Sequence, residues 1–344
     1  MTSSGAFRRP LFGGAKIVKL ASSLAIVAAL AFWSFAPGAA LAAGSSPAAW
    51  VSGHGTNAAG CGSLTNPCLT LQYTHDNVVA AGGLIAVLDS SDYGPLVIRN
   101  AISIVDDGGL AGIAVASGDA IDIQAGPTDA VFLKGLHIDG LGTANNGINL
   151  TSAGSLTVAN CTIKGFSINN GTGNIGNAIW INTSSAKASF GISDTVLSGN
   201  VIGVLVNPSS GNVRFTISDT VISGNSYYGV SVFPSLANNA SGATASVNGT
   251  ITRVEVSRNE NGLYVSGGAT NGKLTIIANQ VNASENVGSG FNVYEASLYL
   301  TRTTATGNGY GVYNNGVAYS YGDNAINGNA TDLYGGLSTI AHLQ

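Results

Sequence analysis

Ser193-Asp194-Thr195-Val196-Leu197-Ser198-Gly199-Asn200 returns 25 positions later as Ser218-Asp219-Thr220-Val221-Ile222-Ser223-Gly224-Asn225. Each copy runs into a glycine and a short apolar alternation, Gly203-Val204-Leu205-Val206 and Gly229-Val230-Ser231-Val232. Looser copies close on Asn259, Asn286, Asn308 and Asn329. Repetition at this interval, with room for three short strands and their turns, is the mark of a coil that stacks on itself. The spacings between closing asparagines are 25, 34, 27, 22 and 21, so the longer ones carry an inserted loop such as Pro234–Gly242. Parallel coils stack about 4.8 Å apart, and about ten of them would make a rod roughly 45–50 Å long. Right-handed winding follows from the handedness of parallel crossovers.

Composition agrees. The 344 residues include 48 Gly and are 9% charged and 45% hydrophobic. Such a chain can bury a core, and its glycine and β-branched residues disfavour helix. Turn residues punctuate short apolar runs from Leu84 onward, as in Asp106-Asp107-Gly108-Gly109. An all-β fold is expected: a right-handed parallel β-helix over 84–344. One helix is expected before it, over Leu69–Ala81, with Leu71, Thr74, Val78 and Val79 on one face and Gly82-Gly83 ending it; it would cap the open end of the core. His75 and Asp76 are expected on its solvated side.

Residues 1–42 read as an export signal. Arg8, Arg9, Lys16 and Lys19 precede the apolar run Leu20–Phe35, and Ala40-Leu41-Ala42 offers a cleavage site after Ala42. The alternative is an uncleaved anchor, but the run falls short of the ~20 apolar residues that span a bilayer. Arg8-Arg9-Pro10-Leu11-Phe12 also resembles a twin-arginine signal, which leaves two export routes open. After cleavage nine Lys plus Arg face seventeen Asp plus Glu, a net charge of about −8. That balance argues against nucleic acid and strongly anionic surfaces as partners. The expected location is periplasmic, cell-surface or secreted. Residues 43–83 then hold a flexible lead to Trp50, a disulfide between Cys61 and Cys68, and the cap. Cys161 takes a repeat position otherwise filled by Thr or Val and is expected to be a small buried residue.

Taken in order, Asn66-Pro67-Cys68, a helix, Gly82-Gly83, Val87-Leu88-Asp89 and Tyr93-Gly94-Pro95, followed by isoleucine-rich repeats over roughly residues 50–335, resemble the pectin-lyase-like superfamily, and more closely a group of exported bacterial β-helix proteins of uncharacterised function. The resemblance implies the fold and leaves activity open. The polygalacturonase motifs of that superfamily are not matched: Asn-Thr-Asp and Arg-Ile-Lys do not occur, and Gly53-His54-Gly55 and Asp106-Asp107 stand in the wrong order. The calcium and arginine set of pectate lyases has no counterpart either, and no cofactor or metal motif is present.

Strand alternation assigns the faces. Counting back from each closing asparagine, positions −3 and −5 (Leu197 and Thr195, Ile222 and Thr220, Val256 and Val254, Ala283 and Val281) should face the core. The asparagines should stack as an amide ladder, and Asp194 and Asp219 should bond nearby backbone N–H groups. Outward rows supply two candidate sites. Asp139 should lie beside Lys164, with His137 on the same face, a general acid and base within reach of a bound sugar or else an exposed ion pair. Asn149, Trp180, Leu205, Ser231, Tyr264, Asn292 and Tyr313 should form one exposed file, in which Trp180, Tyr264, Asn292 and Tyr313 suit stacking on sugar rings and bonding their hydroxyls; inserted loops could instead cover it. Three functions compete: a non-catalytic exported protein binding extracellular carbohydrate or an envelope component, a polysaccharide lyase or hydrolase using His137, Asp139 and Lys164, and a structural or adhesin-like rod.

Overall fold

The computed structural model describes residues 44–108, 111–172, 174–234, 245–267 and 274–340; the expected export signal and most of the 234–242 insertion lie outside them. The described chain is a right-handed parallel β-helix. Each coil has three strands, illustrated by Lys187–Ser193, Val196–Ser198 and Ile202–Val206. We label the three sheets they build A, B and C, in that order. Every strand pairs in parallel with its equivalent one coil away, as Lys187–Ser193 does with Gly211–Ser218 and Ile202–Val206 with Tyr228–Val232. The short strands make sheet B, ten strands deep. Sheets A and C join into one 20-stranded sheet, and Ser289–Thr301 and Tyr310–Ser320 run unbroken round the corner between them.

Inside the coil, Leu197, Thr195, Ile222, Thr220, Val256, Val254, Ala283 and Val281 are all buried, in the phase that alternation required. The closing asparagines form the expected ladder. Each Nδ2 donates to the next Oδ1, from Asn200 through Asn225, Asn259, Asn286 and Asn308 to Asn329, over 2.8–3.2 Å. Asn329 then donates to Asp332 Oδ1 at 3.0 Å, so a carboxylate closes the row. The glycine three or four residues after each ladder asparagine from Asn200 to Asn308 sits where a side chain would collide with the next coil: a Cβ on Gly262 would lie 2.5 Å from Gly290 O and 3.1 Å from Asn286 Nδ2.

Asp194 and Asp219 do not take the role expected of them. They occupy left-handed turns between sheets A and B (φ 51° and 50°), a conformation shared by Asn160, Arg253, Gln280 and Arg302 in other coils. Asp219 forms a two-point ion pair with Arg253 of the next coil, both N···O distances 2.7 Å. That partner stands 34 residues away, so no local motif announces it.

The N-terminal end also departs from expectation. A strand already begins at Ser46 and pairs with Val79–Val87. The helix α1 is confined to Leu71–Asn77, with Thr70 as its N-cap accepting from Tyr73 N. Gly82-Gly83 therefore lie inside a strand, because the β-branched pair Val78-Val79 leaves the helix to join the Ser46–Val51 ladder. His75 is buried rather than solvated. Its Nε2 accepts from Arg99 N at 3.3 Å while Nδ1 faces Asp76 Oδ1 at 2.8 Å. Gln72 accepts from Val97 N and donates to Val97 O, at 2.6 and 3.3 Å. The helix thus supplies partners to the edge strand Leu96–Ile98, which a further coil would otherwise pair. Cys61 and Cys68 form a disulfide. Among the described residues no helix is long and apolar enough to cross a membrane.

Candidate functional site

The file on sheet C is in register as aligned: Asn149 beside Trp180, Trp180 beside Leu205, then Ser231, Tyr264, Asn292 and Tyr313. It is not uniformly exposed. Asn149, Leu205 and Ser231 are buried. Val201, Ile202 and Leu205 form a second apolar cluster outside the coil, with Trp180 and Tyr228 packed on it. The chain between Thr162–Lys164 and Asn177–Ile181 runs out as an extra loop beside this cluster, and its Asn169, Gly171 and Thr172 line a groove that the cluster floors.

That groove encloses about 520 Å³. Tyr228 stacks on Tyr264 with ring centroids 4.7 Å apart and planes 13° from parallel, and Tyr227 leans against Tyr228 at 4.1 Å. Burial, with Tyr227 beside it, raises the Tyr228 phenol far above its ordinary pKa, so it stays a neutral donor. Asn207, Ser231, Asn169 and Thr172 bring polar groups to the same space. Asn207 Oδ1 and Trp180 Nε1 are buried and have no hydrogen-bond partner. Tyr227 and Tyr228 escaped the repeat alignment because they precede the glycine that fixes the file; adjacent tyrosines at that point were the available signal.

Asn292 and Tyr313 lie farther along sheet C. Tyr313 stacks on Tyr334 at 4.6 Å, 5° from parallel, with Tyr310 edge-on at 5.2 Å. The four proposed ligand residues therefore divide, with Tyr264 lining the groove, Trp180 packed on its apolar floor and Tyr313 in a separate aromatic group; Asn292 stands between.

The charged candidates sit on sheet B. Thr162 is beside His137 and Lys164 beside Asp139. Lys164 Nζ lies 3.3 Å from Asp139 Oδ2, and Asp139 Oδ1 accepts from Leu141 N at 2.9 Å. His137 stands exposed two residues from Asp139, and the depression around the three is about 250 Å³. Lys164 and Asp139 thus form an ion pair at the surface, in contact with solvent. Cys161 is buried, and burial pushes its thiol up to about 11, so it is held protonated. Among the described residues no three His, Cys, Asp or Glu side chains come together in a way that could hold a metal ion.

No protein-family model matches the chain, and no curated protein matches it in sequence. Among solved structures, the crystal structure of pectate lyase Pel9A aligns with 79% of this chain and 74% of its own, at a TM-score of 0.47 and 14% identity.

Proposed function

We propose that this is a non-catalytic, exported carbohydrate-binding β-helix whose binding site is the tyrosine groove on sheet C. The stacked Tyr228–Tyr264 pair beside a loop-bordered space of about 520 Å³ carries the proposal. Sugar rings offer apolar C–H faces to aromatic planes and hydroxyls to amides, and this groove presents both kinds of surface together. Export is supported by the Cys61–Cys68 disulfide, since such bonds persist in oxidising compartments.

The test is a glycan array followed by calorimetric titration of the best binder, a readout that does not depend on any residue of the groove. Tyr264→Ala and Trp180→Ala should each weaken binding by about tenfold or more. Binding that survives both substitutions, or an array with no binder, would remove the groove from consideration. A cleaving enzyme is the second reading, favoured by the Asp139–Lys164 contact beside His137. It requires release of reducing ends or unsaturated products from a polysaccharide, abolished by Asp139→Asn.

A further inference from the structure

Sheet A carries a second groove, of about 600 Å³, on its outer face. Its lining is Lys187, Ser189, Asn212, Arg214, Ser246 and Asn248, with Pro127, Gly154 and Ala188 at its margin. Parallel register fixes the layout: Lys187 beside Asn212 and Ser246, and Ser189 beside Arg214 and Asn248. One coil step of about 4.8 Å and a two-residue step along the strand separate the two cations, placing their Cα atoms roughly 8 Å apart.

Charge marks this groove out. Lys134, Lys164, Arg99 and Arg253 each face an aspartate. Among the described residues Lys187 and Arg214 are exposed and form no ion pair; Arg258 and Arg302 form none either, but only Lys187 and Arg214 share one groove, and no Asp or Glu is among its lining residues. A chain with so large an excess of acid has thus kept a local surface of cations, amides and hydroxyls without one carboxylate. Beneath it the floor is rigid: Phe190 and Phe215 stack at 4.9 Å inside the coil. Gly249, next in register, leaves the Phe215 ring its room.

We infer that the Lys187–Arg214 groove binds a tetrahedral oxyanion, the sulfate or phosphate group of a glycan. Two cations, two amides and the Ser189 hydroxyl offer more donors than the two oxygens of a carboxylate can accept. A sulfate or phosphate presents three terminal oxygens to donors arriving from several coils. The groove is open and crosses strands of successive coils, which suits a group carried on an extended polymer. This site is on a different sheet from the tyrosine groove, and its occupancy does not depend on that groove.

The experiment is calorimetric titration of the purified protein with a sulfated dextran oligosaccharide. Unsulfated dextran, inorganic sulfate, inorganic phosphate and a polygalacturonate oligomer serve as comparison probes. Sulfated dextran should bind with salt-dependent affinity, and Lys187→Gln and Arg214→Gln should each weaken it by about tenfold. Lys134→Gln removes the same charge elsewhere and should change it by less than about twofold. All variants should keep the parent melting temperature, and Tyr228→Ala/Tyr264→Ala should leave this binding intact, which separates failure here from failure of the tyrosine groove. Equal losses in all three cation variants would show diffuse attraction and overturn the site. So would sulfated dextran binding no better than dextran or than polygalacturonate. Inorganic sulfate or phosphate binding as tightly as the oligosaccharide would overturn the assignment to a glycan-borne group.

Discussion

Asn225 shows how one side chain holds two coils together. Its Oδ1 accepts from the N–H and the Nδ2 of Asn200, both at 3.1 Å, while its own Nδ2 donates to Asn259 Oδ1 at 2.9 Å and to Leu197 O at 3.4 Å. All amide valences are used in a site 1% exposed. Asn225→Ala strands the Asn200 N–H and takes one of two acceptors from Asn200 Nδ2, while Asn259 Oδ1 keeps the Asn225 N–H, so unfolding should become easier by roughly 2–3 kcal/mol, as measured by chemical denaturation. Just before each ladder asparagine the chain turns through a left-handed residue, a glycine at 199, 224, 307 and 328. Arg258 and Glu285 hold the same conformation at φ 56°, and the ladder bonds on either side keep them there. The glycines and asparagines were legible because identical backbone and bonding demands recur in every coil. The partner of Asp219 was not, since an ion pair between coils leaves no local pattern.

At the scale of elements, the first turn after the Ser46–Val51 strand is pinned by Asp89. Its carboxylate accepts from Ser52 Oγ at 2.5 Å, Tyr93 OH at 2.6 Å and Gly53 N at 2.8 Å. These bonds, that from Ser52 foremost, hold the carboxyl below its ordinary pKa. A depressed folded-state value stabilises fully above the unfolded pKa of about 3.9 and is lost as pH falls through the lower folded one. The melting temperature should therefore hold from neutral pH to about 5 and drop below about 4, with a shallower drop in Asp89→Asn. The cap itself was visible in sequence as a helical face, but its length was not. Propensity allows α1 to continue to Ala81, whereas pairing of Val79–Val87 with the preceding strand ends it at Asn77. For the same reason His75 looked solvated: its partner, the Arg99 N–H, belongs to the edge strand's coil.

The first and last coils of the described stack differ. Gln72 and His75 cover the first edge of sheet C, whereas the last described coil exposes Leu333 at 40% and Tyr334 at 47%, although Val312, in register with Leu333, is fully buried. In a stack stabilised by nearest neighbours, opening should begin at the less covered end. Amide hydrogen exchange should accordingly show the weakest protection in Thr331–Tyr334 and Leu337–Thr339 and the strongest in the middle coils, near Val204 and Val230. Uniform protection along the rod would contradict nearest-neighbour stacking. The amino-acid sequence alone determined the coil, its in–out phase, the asparagine ladder and the disulfide, because each follows from residues that repeat at fixed offsets or lie a few positions apart. Tertiary structure decided which outward residues meet: Trp180 and Leu205 under a loop-bordered groove, Tyr228 against Tyr264, and Lys187 near Arg214 in a groove with no carboxylate among its described lining residues. Those contacts depend on coil-to-coil register and on where inserted loops fall, and neither is written in the period of the repeat.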